Sequence, residues 1–161
     1  MRIGILTFHR ANNYGAFLQT FALQSYLQSL GHAVDLIDYW PPAHAHAYDI
    51  FYISTEEKGI QRIIAFIRNL LRCGRYSWRR HKMEKLLASY LNLPPRVQYT
   101  CGEGLRAINY DCVVYGSDQI WWRHSPIAEY NNFDKVYWGE YINNHCRKVA
   151  YAASMGDMRL D

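Results

Sequence analysis

Residues 2–39, RIGILTFHRANNYGAFLQTFALQSYLQSLGHAVDLIDY, decide the fold of this chain. The apolar run over residues 2–8 is typical of a buried parallel strand. Residues 16–30 have the apolar spacing of a helix, and Gly31 stands where a C-terminal cap glycine belongs. A second strand is predicted over residues 34–39. The helix is expected to bury one broad face made of Leu18, Phe21, Ala22, Leu23, Tyr26, Leu27 and Leu30.

Helices and strands alternate through the rest of the chain. Apolar spacing predicts two helices, over residues 58–71 and 75–91, with Gly74 between them. The apolar positions of the first are Ile60, Ile63, Ile64, Ile67, Leu70 and Leu71. A short helix or turn at 105–109, strands at 110–115 and 147–154, and a short strand or loop around 136–138 complete the pattern. This alternation predicts an α/β fold, a Rossmann-like parallel sheet with helices on both faces.

The composition is that of one folded domain without a metal or disulfide framework. The 161 residues are 50% hydrophobic and 16% aromatic, which excludes wholesale disorder. The four cysteines lack C-x-x-C spacing, so neither a zinc site nor a disulfide framework is expected. His44 and His46 lie in a polar loop and are expected to be solvated rather than to bind a metal. Without a signal peptide or a membrane-spanning run, a cytoplasmic location is expected.

Three predicted loops follow three predicted strands and are expected to share one edge of the sheet. They comprise residues 9–15, 116–122 and 154–157. In open α/β sheets, ligands bind beyond the carboxyl ends of the strands, next to helix N-termini. The pattern therefore predicts a ligand site formed by these loops.

The loops carry groups suited to a polar ligand. The glycines Gly15 and Gly116 permit close approach of the backbone, and the amides that open the first helix favour an anionic group. The carboxylate of Asp118 is suited to orient a hydroxyl or to act as a base. The first loop offers hydrogen-bond donors from His9, Arg10, Asn12 and Asn13.

Simpler roles stay open for several of these residues. Asn12 and Asn13 have the chemistry of turn or helix N-cap residues, and Asp118 has the chemistry of a cap. A dinucleotide site is not supported, because no G-x-G-x-x-G follows the first strand.

Between residues 62 and 85 the chain has eight Lys and Arg residues against one acidic residue, Glu84. Such a segment is ordinarily a solvated face, and the alternative is a surface for anionic lipid or a lipid-linked phosphate. The formal charge of +4 is modest and no nucleic-acid-binding motif is present, so nucleic acid is not expected as a partner. On one continuous helix, spacings of four, three and four would place four arginines on one side: Arg68, Arg72, Arg75 and Arg79.

Three segments form a specific combination: ILTFHRANNYGA at residues 5–16, GSDQIW at 116–121 and YAASMG at 151–156. Their order and spacing resemble the polysaccharide pyruvyl transferase family. The likeness covers residues 1–161 as a single Rossmann-like N-terminal lobe, about the first half of a typical member, so that a C-terminal lobe would be absent. It implies the architecture of glycosyltransferase-B-like enzymes, in which two Rossmann-type lobes face across a cleft.

The resemblance also implies an activity and a set of cleft residues. The reaction would transfer pyruvyl from phosphoenolpyruvate, as co-substrate and without a cofactor, to two hydroxyls of a sugar, forming a cyclic ketal. The acceptor would be a glycan or lipid-linked sugar of a bacterial capsule or exopolysaccharide precursor, at the inner membrane face. The residues that carry over are Asp118 as the catalytic residue, with Asn12, Asn13, Tyr14, Gly15, Gly116, Ser117 and Gln119 as cleft residues.

Most phosphoenolpyruvate-binding Arg and His residues of the family are expected in the second lobe, so this chain alone is expected to have almost no catalytic activity. Two other functions stay open. One is a non-catalytic module that binds a glycan or an anion with the same loops. The other is a lobe of a glycosyltransferase with similar architecture, which would be recognised by hydrolysis of a nucleotide sugar without use of phosphoenolpyruvate.

Overall fold

The computed structural model describes residues 1–42, 59–94, 97–121 and 134–156. Within these ranges the chain forms a four-stranded sheet in the order β2-β1-β3-β4, and every neighbouring pair of strands is parallel. The strands are β1 (Arg2–Leu6), β2 (Ala33–Leu36), β3 (Cys112–Gly116) and β4 (Arg147–Tyr151). The predicted Rossmann-like parallel sheet is therefore confirmed.

Helices cover both faces of the sheet. On one face, helices α1 (Tyr14–Ser29) and α2 (Ile60–Tyr90) enclose apolar side chains that include Ile5, Phe17 and Leu87. On the other face, two short 3₁₀ helices pack their apolar residues over Leu6 and Val113. These 3₁₀ helices are Gly102–Ala107 and Lys135–Trp138, where the sequence predicted a short helix or turn and a short strand or loop.

The boundaries of the strands differ from prediction because the chain turns early. β1 ends at Leu6, since the carbonyl of Phe8 already accepts a turn hydrogen bond from the amide of Ala11. β2 ends at Leu36, and Tyr39 instead makes an isolated parallel bridge to Tyr99. β4 ends at Tyr151 and is an outermost strand of the sheet, and all five of its residues are exposed.

The buried side of α1 is not the one that the apolar spacing predicts. Leu18, Tyr26 and Leu30 are all more than half exposed and Ala22 is exposed as well, so the predicted face is wrong at these four positions. The helix buries two polar residues because their hydrogen bonds are met inside the fold. Gln24 bonds to the backbone at the end of α2, and the hydroxyl of Thr20 donates to the carbonyl of Ala16. The buried residues are Ala16, Phe17, Thr20, Leu23 and Gln24.

Helix α2 is continuous over 31 residues, so the prediction of two separate helices is wrong. Gly74 lies inside the helix. A glycine in a helix interior costs only about 1 kcal/mol relative to alanine, which a long helix tolerates. The C-terminal end of α2 is anchored by the buried side chains of Met83 and Leu87.

Candidate functional site

A cleft of about 660 Å³ opens at the carboxyl ends of β3 and β4, beside one side of α1. The segment after β3 contributes its three predicted site residues, Ser117, Asp118 and Gln119. The helix contributes Gln19 and Tyr26, neither of which was among the predicted site residues. The complete lining consists of Gln19, Ala22, Leu23, Tyr26, Ser117, Asp118, Gln119, Tyr151, Ala152 and Ser154.

The loops that follow β3 and β4 are held together by backbone hydrogen bonds. The amide of Ser154 donates to the carbonyl of Asp118 at 3.0 Å, and the amide of Trp121 donates to the carbonyl of Ser154 at 3.1 Å. The Trp121 indole also donates to the carbonyl of Tyr137 at 3.1 Å. Two of the three predicted loops therefore form one rigid wall at the edge of the sheet.

Gly116 makes the close contact between these loops sterically allowed. Its φ of +112° is a conformation that residues with a Cβ rarely adopt, and a Cβ there would overlap the carbonyl oxygen of Tyr151. The sequence predicted this glycine as a point of close approach to a ligand. The structure shows close approach to the neighbouring strand, and contact with a ligand stays a prediction.

Asp118 is the only acidic residue among the described residues that line the cleft. Its Oδ1 accepts a hydrogen bond of 2.7 Å from the amide of Gln119. Partial burial raises the pKa of Asp118 above its ordinary value, and the bond from the Gln119 amide opposes that shift. A carboxylate with a raised pKa, in a cleft and without a cationic partner among the described residues, has the properties of a general base.

The first loop uses its charged side chains inside the protein. His9 is fully buried, with Nδ1 at 3.1 Å from the carbonyl oxygen of Thr7 and Nε2 at 3.1 Å from Oδ1 of Asp38. Arg10 donates from Nε and Nη2 to the two oxygens of Asp38, each at 2.5 Å. These bonds from Arg10 and His9 hold the pKa of Asp38 well below its usual range, although burial alone would raise it.

Each ring nitrogen of His9 lies within hydrogen-bond distance of a partner, the carbonyl oxygen of Thr7 or the carboxylate of Asp38. Through His9 and Arg10 together, Asp38 fixes the loop after β1 to the end of β2. The sequence missed Asp38, and the available signal was an acidic residue directly after the apolar strand residues Leu36 and Ile37.

The rest of the first loop opens helix α1. Asn13 is the N-cap, and its Oδ1 accepts a hydrogen bond of 2.8 Å from the amide of Gly15. Tyr14 is exposed, and the guanidinium of Arg79 lies over its ring at 5.8 Å. The buried Oδ1 of Asn12 has no hydrogen-bond partner among the described residues. Among the alternatives that the sequence left open, the N-cap role of Asn13 is confirmed.

The structure thus brings together part of the predicted site. Ser117, Asp118 and Gln119 share the cleft with the end of β4, whereas residues 9–15 belong to the same edge of the sheet but not to the cleft lining. Binding of substrate by the six predicted residues of this loop stays a prediction. Within the described part of the chain, no three His, Cys, Asp or Glu side chains are grouped as a metal would require. His44 and His46 lie outside the described residues.

A family model described as polysaccharide pyruvyl transferase matches residues 13–161, which include α1, all three later strands and both loops of the cleft wall. The chain belongs to the polysaccharide pyruvyl transferase family. The resemblance noted in the sequence is therefore confirmed. Neither a curated protein nor a solved structure is significantly similar to the chain. The part matched by the pyruvyl transferase model begins at Asn13, after His9 and Arg10.

Proposed function

We propose that this member of the family takes part in transfer of pyruvyl from phosphoenolpyruvate to a sugar of a cell-surface glycan precursor, and that its cleft holds the acceptor sugar. The observation that carries the proposal is the chemistry of the lining. Apart from Asp118, the described lining residues are uncharged, with amide and hydroxyl groups on Gln19, Ser117, Gln119 and Ser154.

This lining suits a neutral polyol. Amide and hydroxyl groups both donate and accept hydrogen bonds, as sugar hydroxyls require. The phenol rings of Tyr26 and Tyr151 are both more than half exposed at the cleft and offer apolar surfaces for a sugar ring. The site therefore combines aromatic surface, polar groups and one carboxylate.

The proposed reaction needs a base at the acceptor hydroxyl. Protonation of the methylene carbon of phosphoenolpyruvate makes a methyl group and leaves the neighbouring carbon electron-poor. One sugar hydroxyl attacks that carbon and gives its proton to Asp118, and the bond to the phosphate oxygen breaks with its electron pair. The second hydroxyl attacks the same carbon, loses its proton and closes the ketal. Of the two protons released, one balances the proton added to carbon and the other leaves with phosphate.

We also propose that a second lobe completes the site, as in a glycosyltransferase-B-like architecture. Phosphoenolpyruvate is a multiply charged anion and needs cationic groups around its phosphate and carboxylate. The described residues that line the cleft include no Lys, Arg or His, and Arg10 and His9 are bound to Asp38. The phosphoenolpyruvate-binding cations are therefore assigned to the other lobe, and the acceptor is assigned to a capsule or exopolysaccharide precursor handled at the inner face of the bacterial membrane.

The acceptor half of the proposal is tested on this chain by saturation-transfer NMR with methyl β-galactoside and N-acetylmannosamine. We expect binding that Tyr151→Ala weakens at least several-fold, because an exposed ring surface is lost. Glu103→Gln, an exposed acid-to-amide change on a 3₁₀ helix outside the cleft lining, is the control. Absence of glycoside binding, or equal loss in the control, would contradict an acceptor site.

The catalytic half is tested by phosphate release. This chain with phosphoenolpyruvate and the same acceptors is expected to release none, and robust turnover would refute the need for a second lobe. In a two-lobed member, replacing the aspartate that corresponds to Asp118 by asparagine is expected to lower turnover roughly 10²- to 10⁴-fold with acceptor affinity nearly unchanged. A change in affinity with little loss of turnover would indicate a binding role for this carboxylate.

A further inference from the structure

Most of helix α2 lies at the surface of the protein. Over its 31 residues the buried side chains are Ala65, Met83 and Leu87. Ala65 is the only buried residue in the segment from Ile60 to Lys82, nearly three quarters of the helix. This part of α2 therefore presents most of its circumference to the surroundings.

The exposed circumference includes the apolar side of the helix. Ile67 follows the buried Ala65 by two residues, a rotation of about 200°, so it lies on the opposite side. Leu71 is 81% exposed and Ile60 is 73% exposed. We use the term apolar stripe for the residues on this side, each at least 50% exposed: Ile60, Ile63, Ile64, Ile67, Leu70, Leu71 and Trp78. The sequence predicted this apolar side, and the structure leaves it uncovered by the described residues.

Cationic side chains border the apolar stripe. Because α2 is continuous through Gly74, the arginines spaced by four, three and four share one flank. Lys82 lies over the ring of Trp78, with its Nζ at 3.8 Å from the ring centroid. Between Ile60 and Met83 the sequence contains no acidic residue. The flanking arginines are Arg68, Arg72, Arg75 and Arg79.

We propose that α2 lies in the surface of an anionic lipid bilayer, with the apolar stripe inserted among the acyl chains and the arginines at the headgroups. Helices with one apolar side and a cationic flank bind in this way, and each Lys or Arg near an anionic surface adds to the affinity. None of the helices in the described ranges has the length and hydrophobicity needed to span a bilayer. The helix therefore lies along the surface.

The charge of the stripe's border argues against a second copy of this chain as its occupant. Pairing two α2 helices through the apolar stripe would bring Arg72, Arg75 and Arg79 of both copies together, and α2 itself has no acidic residue between Ile60 and Met83 to compensate them, which is unfavourable. Lipid phosphates supply anions for these side chains. This inference does not depend on pyruvyl transfer, because binding to vesicles is measured without any substrate.

Vesicle flotation tests the proposal on the full 161-residue chain. We expect the chain to float with phosphatidylcholine vesicles that contain about 30% phosphatidylglycerol, and to bind pure phosphatidylcholine far more weakly. Leu71→Glu is expected to reduce binding to the anionic vesicles at least tenfold. The double change Arg72→Ala with Arg75→Ala is expected to reduce it roughly 25-fold, about fivefold for each arginine.

Ser89→Glu is the matched control, because it places the same charge at an exposed position of α2 beyond the apolar stripe. It is expected to float like the unchanged chain. Thermal melts followed by circular dichroism should be the same for all variants, since the substituted side chains are exposed. Absence of binding to anionic vesicles would overturn the proposal. An equal loss of vesicle binding in Ser89→Glu and Leu71→Glu would also overturn it. A chain that does not bind vesicles but forms a dimer in solution, which Leu71→Glu dissociates, would overturn it in favour of a second copy.

Discussion

At the carboxyl ends of the strands, the β1–β2 half and the β3–β4 half of the sheet use their carboxylates in opposite ways. Beyond β1 and β2, Asp38 is buried and receives hydrogen bonds from both His9 and Arg10, which lower its pKa. Beyond β3 and β4, Asp118 is partly buried at an open cleft, accepts one hydrogen bond from a backbone amide, and has a raised pKa.

The difference shows that carboxylates at the carboxyl ends of neighbouring parallel strands can have opposite electrostatic environments. A carboxylate that is paired with an arginine and hydrogen-bonded to a histidine stabilises the fold and has little capacity left for a ligand. A carboxylate whose ionisation is disfavoured can gain a proton or accept a hydrogen bond from a substrate hydroxyl. We therefore propose a structural role for Asp38 and a catalytic role for Asp118.

Gly116→Ala should have the largest effect, because it breaks the wall of the cleft. The substitution combines a strained φ with overlap against the backbone of Tyr151, and we expect a loss of roughly 4 kcal/mol in the free energy of unfolding. Urea denaturation measures this loss. Gly15→Ala is the control, since a Cβ at Gly15 would meet only the side chain of Asn13, at 3.3 Å. Equal losses of stability at Gly15 and Gly116 would contradict the inference that the contact between the loops after β3 and β4 requires a glycine at position 116.

Asp38→Asn should have the next largest effect, because it leaves the charge of Arg10 uncompensated and removes the carboxylate that also bonds to His9. We expect a loss of about 3 kcal/mol in the free energy of unfolding near neutral pH. The lowered pKa of Asp38 contributes stability above the pKa of the unfolded chain, and this contribution is lost as pH falls toward the folded value. The difference between the two proteins should therefore shrink as pH is lowered from about 5 to about 2.

Asp35→Asn is the matched control for this prediction. Asp35 lies on β2, three residues before Asp38, and its carboxylate is partly exposed, 4.0 Å from Arg2 and 3.2 Å from the side chain of Asn92. We expect it to cost less than about 1 kcal/mol. A cost for Asp35→Asn equal to that for Asp38→Asn would mean that the cluster with His9 and Arg10 has no special role.

Features set by neighbours in sequence could be predicted. The β1-α1-β2 unit follows from apolar spacing. The cap at Asn13 follows from the chemistry of asparagine before a helix, and the positive φ of Gly31 follows from its place after one. The parallel sheet follows from the alternation of elements. Each of these signals lies within a few residues of the feature that it predicts.

Features set by partners distant in sequence could not be predicted. Asp38 meets His9 and Arg10 only because β1 and β2 pair with Ile5 opposite Leu36, which brings the following residues of both strands together. Periodicity shows which residues of α2 share a side, but not which side meets the core. For α1, the buried Gln24 depends on hydrogen bonds with Tyr90, the last residue of α2, and with Asn92 just beyond that helix, both more than sixty residues later in the sequence.

Asp118→Asn should have the smallest effect on stability, and its sign is opposite to that of Asp38→Asn. The raised pKa of Asp118 means that the fold disfavours the ionised carboxyl. This penalty is absent below the pKa of the unfolded chain and develops as pH rises through the folded value. The neutral amide should therefore stabilise the protein near pH 7, by less than about 1 kcal/mol because solvent screens a partly exposed group. The gain should vanish near pH 3. Urea denaturation at the two pH values measures it, and a clear loss of stability at pH 7 would place Asp118 with Asp38 among the structural carboxylates.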